Sequence, residues 1–417
     1  MRKRVAVLGA VGTQTVSTVI DLCRNSGFEE IVIADLDVPK LEELARALDD
    51  PRLQPRAVDA TEVRTIEKVV QGCDVIINGM PGEVPGYDGS FVENVVEGAA
   101  RAGVRFIVDL NDPLSDDAES SIAMFAEWDA ELHKLGVGVM PFSGGVTTSE
   151  LLAIKAAGEL EEVHEINVFM GCATALNQSS PGLIDTTLYE LDPRVKTRLY
   201  YEDGEFKFCE PFGMQIDWQW PESVNARLGG VAYALTHTEP LTLAEVFPDA
   251  KRITSRGVLG DLEVNGLMGM LVRHGVYEME PIDIAGSAVS PLACVRELMV
   301  RISDIERARV ARGEKAPDWY GEYSLAAEVS GLREGQPHRV VYTHRAPGHP
   351  FHELLARDAV GEFGVGVGVP MSVTACMLLD GEIPLLQGLV RNADLFPDPD
   401  KYFAEMAARG FELVRET

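Results

Sequence analysis

The sequence predicts an α/β protein, with an N-terminal doubly wound parallel sheet followed by a second, α+β region. Strand-like and helix-like segments alternate from residue 4 to residue 145. Within that stretch Val75-Ile76-Ile77 and Phe106-Ile107-Val108 are unbroken apolar runs, as expected of strands covered on both faces. After about Gly145 the rhythm changes to longer strand-like stretches separated by turn signals.

The chain opens on RVAVLGAVGTQTVSTVI, residues 4–20, directly behind a basic start. A secretory signal would need an unbroken apolar core and a small-residue cleavage site. Gly9 and Gly12 interrupt the run, and no A-x-A-like site follows. A short buried strand, a glycine turn, a helix and a second strand ending in an acid instead describe the start of a dinucleotide-binding Rossmann unit. Val16, Val19, Ile20 and Cys23 have helical spacing, Ile31–Ala34 is the next strand, and Asp35 ends it. Strands are expected at Val5–Gly9, Ile31–Asp35, Pro55–Asp59, Asp74–Gly79, Arg105–Leu110 and Val137–Pro141. Helices are expected at Thr13–Asn25, Pro39–Ala47, Thr61–Val70, Gly89–Ala102 and before Leu135. Further on, Ser149–Leu160 reads as a helix. Glu165–Phe169, Arg198–Tyr201, Phe206–Phe208, Arg252–Leu259, Ala326–Val329 and His338–His344 read as largely antiparallel strands. Met371–Leu379 and Lys401–Ala408 restore helical spacing, with the loop DLFPDPD between them.

A chain of 417 residues is too long for one ordinary core, so two domains are expected. No apolar run is expected to reach the roughly 18 residues of a membrane span. The six cysteines form no C-x-x-C pair, which argues against a disulfide framework and a cysteine zinc site and points to a reducing, cytoplasmic setting. A net charge of −29 makes nucleic acid and anionic membranes poor partners. The spread of acid along the chain fits either a well-solvated surface or adaptation to high salt.

The candidate cofactor site starts at the glycine loop. Gly9, Val11, Gly12 and Thr13 stand where backbone amides would hold a pyrophosphate, although Val11 occupies the second glycine position of G-x-G-x-x-G. Asp35, followed by Leu36, is placed to accept from the adenosine ribose hydroxyls and to repel a 2′-phosphate. No arginine follows closely, so NAD is favoured over NADP; the alternative is that Asp35 caps the next helix. Asp59 would border the adenine, and Asn78 and Gly79 end the fourth strand where the nicotinamide half would pass. In FIVDLNDP, Asp109, Asn111 and Asp112 cluster at a strand's carboxyl end, the ligand side of such sheets. They either face a substrate ammonium or make strand-end turn bonds. His344, His349 and His352 lie in a Pro/Gly-rich stretch with no completing acid or cysteine, so no metal site is expected. His237 is a lone histidine whose ordinary pKa suits general acid–base work. Cys172 in FMGCATALNQ would suit a hemithioacetal-forming dehydrogenase if it were accessible.

Several stretches together resemble the saccharopine dehydrogenase-like family: VAVLGAVGTQ with EEIVIADLDVPKLEELARAL, VDLNDPLSD, LGVGVMPFSGGVTTSELLAIKAAGELEEVHEINVFMGC, SSPGLIDTTL, LTLAEVFPDAKRITSRGVLG, and the closing GVGVGVPMSVTACMLLDGEI. The resemblance implies a nucleotide domain over residues 1–148 and an inserted α+β substrate and dimerisation domain over 149–355. Residues 356–417 would be helices returning to the first domain. It also implies NAD(P)-dependent hydride transfer at a carbon–nitrogen bond of an amino acid or opine, usually in homodimers. Asp109 and His237 are then the candidate catalytic groups. The rival readings are a dehydrogenase of a hydroxy or aldehyde substrate and a non-catalytic NAD-binding protein.

Overall fold

The computed structural model describes residues 3–81, 90–111, 114–115, 117–141, 143–174, 181–221, 224, 227–314, 323–346 and 362–416. They group into two compact units. One contains Met1–Ser115, Glu119–Ile154 and Gly364–Phe411, the other Asp116–Ala118, Lys155–Phe363 and Glu412–Thr417.

The first unit alternates strand and helix: β1 (Arg4–Leu8), α1 (Thr15–Asn25), β2 (Glu30–Asp35), α2 (Val38–Leu48), β3 (Leu53–Ala57), α3 (Val63–Val70), β4 (Val75–Asn78), α4 (Phe91–Ala102), β5 (Phe106–Asp109), α5 (Ala118–Leu135), β6 (Gly138–Met140) and α6 (Gly145–Ala157). The apolar runs behave as their continuity requires: β4 and β5 are buried along their whole length. Their neighbours are parallel, β1 pairing with both β2 and β4. Side chains close the helix ends. Ser90 accepts from the Glu93 amide at the start of α4, and Gly103 ends that helix at φ 75°. The third strand lies earlier than the expected Pro55–Asp59, because Asp59 is drawn into the turn before α3.

The second unit runs β7 (Glu162–Cys172), α7 (Pro181–Glu190), β8 (Leu199–Glu202), β9 (Glu205–Phe208), β10 (Ile216–Asp217), β11 (Val231–Ala234), α8 (Glu239–Val246), β12 (Arg252–Leu259), α9 (Leu262–Arg273), β13 (Ile282–Ile284), β14 (Ser287–Val289), α10 (Pro291–Ala311), β15 (Tyr323–Arg333) and β16 (Gln336–Arg345). The sheet is mixed rather than purely antiparallel, because β12 pairs parallel with β7. β15 pairs antiparallel with both β7 and β16. One face of this sheet is unusually polar. Asn167 is in register with Thr254 and Glu328, and Phe169 with Arg256 and Ala326. The Arg256 guanidinium bonds to Asn167, and Thr254 donates to Asn167 Oδ1 at 2.6 Å. Trp218 lies flat on Phe169, ring centroids 3.6 Å apart. A Cβ on Gly171 would sit 2.7 Å from the Trp220 ring, so only glycine admits that indole. The hairpin β13–β14 forms a separate two-stranded sheet.

The chain then returns to the first unit with α11 (Glu362–Asp380), β17 (Gly388–Leu389), α12 (Asn392–Leu395) and α13 (Pro399–Ala408), before β18 (Glu412–Arg415). β17 adds a seventh parallel strand, completing the order β17-β6-β5-β4-β1-β2-β3. Six strands were expected. Two residues are too short to show a pattern. α11 lies close along α1: Ser17 Oγ donates to the Gly364 carbonyl at 2.7 Å and Thr18 Oγ1 to that of Gly368 at 2.8 Å. Behind them Arg409 forms a buried ion pair with Asp21 at 3.0 Å. The expectation about apolar runs fails at this helix, since Phe363–Asp380 is long and apolar enough to cross a membrane by length and composition; most of it is buried inside the protein. The expected loop DLFPDPD begins inside α12. β18 pairs antiparallel with β16 and so counts with the second unit, where Arg415 reaches Glu159 at 2.8 Å. The expected boundary at residues 355 and 356 lies outside the described residues.

Candidate functional site

The glycine loop connects β1 to α1 at the carboxyl edge of the first sheet. Gly9 takes φ +70°, and a Cβ there would meet the Gly79 carbonyl group at 3.0 Å. The Ala10 amide donates to the Ala34 carbonyl at 3.1 Å, the Val11 amide faces Asp35 Oδ2 at 3.4 Å, and the Gly12 amide closes a turn onto the Gly9 carbonyl at 3.0 Å. Val11 therefore takes part in a rebuilt loop whose amide is tied to Asp35. Thr15 occupies the third glycine position, read as Gly9, Gly12, Thr15. Its side chain is buried and its hydroxyl donates to the Gly9 carbonyl. α1 begins with no side-chain cap and no acid in its first turn. Such a helix start is suited to an anion. Gly12 is exposed, and Val11 and Thr13 are half-buried.

Asp35 ends β2 beside this loop. Its Oδ1 accepts from the Asp37 amide at 3.1 Å. It does not cap α2; that role falls to Asp37, which accepts from the Lys40 amide at 3.2 Å. The Lys40 contacts hold the exposed Asp37 carboxyl below its ordinary pKa. Leu36 is 74% exposed, an apolar wall beside the acid. Asp59 is committed to a turn, accepting from the Thr61 hydroxyl at 2.7 Å, which lowers its pKa. One residue was missed from the sequence: Arg56 on β3 stands in register with Ala34, beside Asp35. It is exposed and bonds to Pro55 and Gln54 rather than to an acid. Linear distance hid it, because strand pairing brings it back.

The ends of β4 and β5 carry a second constellation. Asn78 Nδ2 donates to Asp109 Oδ2 at 2.7 Å. The backbone and side-chain amides of Asn111 both donate to Asp109 Oδ1 at 2.7 Å. Asn111 also donates to the Met80 carbonyl at 3.0 Å, and the Met80 amide to Asn78 Oδ1 at 3.3 Å. Asp109 is 1% exposed, and burial pushes its pKa up to about 6 against the pull of those donors. The carboxylate is thus a buried hub. The half-buried Asn111 is the member nearer the surface. Gly79 follows Asn78 and touches the loop. Asp112 lies outside the described residues.

His237 belongs to the second unit. Its Nδ1 lies 3.2 Å from Glu239 and its Nε2 3.9 Å from Glu190, two carboxylates almost fully buried. The Thr236 amide donates to Glu190 at 2.7 Å, fixing that acid. His237 is therefore flanked by two acids, Glu239 from two residues along the chain and Glu190 from a distance that no sequence spacing revealed. His344 is buried on β16, and burial lowers its pKa to about 3; His349 and His352 lie outside the described residues. Cys172 is 1% exposed, with its sulfur 2.9 Å from the Thr174 hydroxyl, so the accessible thiol of the aldehyde reading is not seen.

Residues 5–118 match the family model described as the saccharopine dehydrogenase NADP binding domain. The carboxyaminopropylagmatine dehydrogenase of Synechocystis sp. is 23% identical over 422 residues, covering 98% of this chain and 96% of its own. The apo saccharopine dehydrogenase (L-Glu forming) of Saccharomyces cerevisiae shares the fold, with a TM-score of 0.63 at 16% identity over all of both chains. Residues 5–118 are thus similar to a saccharopine dehydrogenase nucleotide-binding domain, and the whole chain shares the saccharopine dehydrogenase fold.

Proposed function

We propose that the chain is an NAD-dependent dehydrogenase acting at a carbon–nitrogen bond of an amino-acid-derived or polyamine-derived substrate. The observation that carries the cofactor reading is the Asp35 carboxylate beside the uncapped start of α1, within 3.4 Å of the Val11 amide. In this reading the first-turn amides of α1 and the Gly9–Thr13 loop hold the pyrophosphate, and Asp35 accepts from the adenosine ribose hydroxyls. When bound, the nucleotide supplies the hydride acceptor. The Asn78–Asp109–Asn111 network fixes the strand ends, with Asp109 a positioning residue and Asn111 presenting the polar edge. His237 is the proposed proton acceptor, Glu239 holding the tautomer with hydrogen on Nδ1 and leaving Nε2 as the base. The name of the Synechocystis relative supports a carboxyalkylated amine as substrate class.

Arg56 favours a second cofactor reading, in which its guanidinium meets the 2′-phosphate of NADP. Calorimetric titration with NAD and NADP separates the two. Reduction of the bound nucleotide, followed by its absorbance with a panel of amino acids and N-carboxyalkyl amines, tests the reaction. Binding without reduction by any amine of the panel would leave a nucleotide-binding protein and sink the dehydrogenase reading.

A further inference from the structure

A cavity of about 850 Å³ opens on the polar face of the second unit's sheet. Its walls include Trp218, Trp220, Ser324, Arg345, Asp217 and Glu416. Ser324 and Arg345 are direct partners across β15 and β16. The Ser324 residue is 0% exposed, and its hydroxyl has no hydrogen-bond partner among the described residues. Arg345 Nε is likewise buried without a partner. Buried polar groups ordinarily find partners, and leaving two adjacent ones unmet is costly. The guanidinium also has no carboxylate within ion-pair distance among the described residues, although acids outnumber bases 66 to 37 in this chain. The neighbouring Arg339, by contrast, is bound to Glu328.

A hydroxyl donor and a guanidinium side by side match the two oxygens of one carboxylate. Asp217 and Glu416 bring negative charge to the same cavity, Glu416 being held by the Thr343 hydroxyl at 3.0 Å. Two indoles supply an apolar wall, and Trp218 is fixed by its stack on Phe169. We propose that this cavity binds a small α-amino acid. Ser324 and Arg345 take its carboxylate, Asp217 or Glu416 takes its ammonium, and Trp218 and Trp220 line its side chain. The site lies wholly within the second unit and does not depend on the dehydrogenase reading.

The test is tryptophan fluorescence of the full chain, titrated with L-leucine, L-glutamate and L-lysine, with acetate and n-butylamine as half-ligand controls. A saturable change with at least one amino acid, and none with either half-ligand, is expected. Arg345→Met should weaken it at least tenfold and Ser324→Ala about threefold, with the melting temperature and NAD titration unchanged. If Arg345→Met fails to fold, Arg345→Lys, which keeps the charge without the fork, should show an intermediate loss. An amino acid that binds and is oxidised with bound NAD identifies a substrate subsite; one that binds and is not oxidised identifies an effector site. Absence of a saturable response in the wild type, or a response untouched by both Ser324→Ala and the Arg345 variants, overturns the proposal.

Discussion

Thr15 and Gly79 interlock: a Cβ built on Gly79 would lie 1.9 Å from Thr15 Cγ2. A glycine in the third position of the phosphate loop ordinarily lets helix and strand approach. Here the bulk is on the helix and the glycine is on the facing strand end. Gly79→Ala should therefore destabilise the protein by about 1–3 kcal/mol, the usual scale of overpacking, and weaken nucleotide binding. Thr15→Ser removes only the obstructing methyl and should recover much of that loss in the double variant. Thermal melts of the four-member cycle decide it; simple additivity would refute the interlock.

The cofactor preference turns on two side chains from adjacent strands. NAD should bind at least about tenfold more tightly than NADP, equivalent to about 1.4 kcal/mol, if Asp35 meets the ribose. Asp35→Ala should narrow the gap mainly by weakening NAD. Arg56→Ala should leave NAD unchanged. A drop in NADP affinity there, together with an initial NADP preference, would transfer the role to Arg56.

Asp109 should respond to pH in a defined direction. Burial raises its pKa from 3.8 to about 6, so the folded state holds its proton to higher pH than the unfolded chain. Its contribution to stability is fully present below about pH 4 and is lost as pH rises to about 6. Protonation also sets a hydroxyl against the Asn78 and Asn111 donors, so nucleotide affinity should fall as pH drops through about 6. Asp109→Asn should abolish that limb and, by mismatching donors in a buried network, cost about 1–3 kcal/mol. An acid limb that survives in the variant assigns the effect to another group.

The buried Asp21–Arg409 pair should show the asymmetry of paired interior charges. Their side chains are 0% and 3% exposed, and Ser372 also donates to Asp21. Arg409→Met should cost about 3–5 kcal/mol, because it strands the buried Asp21 charge, and Asp21→Leu should cost less, because Arg409 keeps its ion pair with Glu405 at 2.7 Å. The double variant should recover most of that loss. Urea denaturation measures all three, and a double variant as damaged as the sum of the singles would exclude the mechanism.

The parts of this fold that were legible in the sequence are those whose signal is local. β4 and β5 announced themselves because strands buried on both faces are apolar without interruption, and Asp35 because it interrupts such a run. β17 did not, since Gly388-Leu389 is defined only by the strand it joins. The local Asp109–Asn111 turn was legible as one of two readings, but the burial of Asp109 was not, because its other donor Asn78 becomes a neighbour only through the pairing of β4 with β5. Glu190 was hidden because it reaches His237 from 47 residues away, and Arg56 because only strand pairing sets it opposite Ala34; neither is encoded in periodicity.

The joining of Ser17 to Gly364 and of Asp21 to Arg409 spans 347 and 388 residues. During synthesis α1 therefore leaves the ribosome long before α11 and α13 exist. The central part of the chain, Lys155–Phe363, is made in the interval. The nucleotide unit must wait with an unfinished helix face, while the later-made unit can assemble most of its sheet first. Its completion is thus ordered by translation rather than by proximity to the N-terminus, and contacts of such long separation form slowly. A chain arrested before residue 364 would lack the carbonyls that Ser17 and Thr18 reach and the arginine that neutralises Asp21.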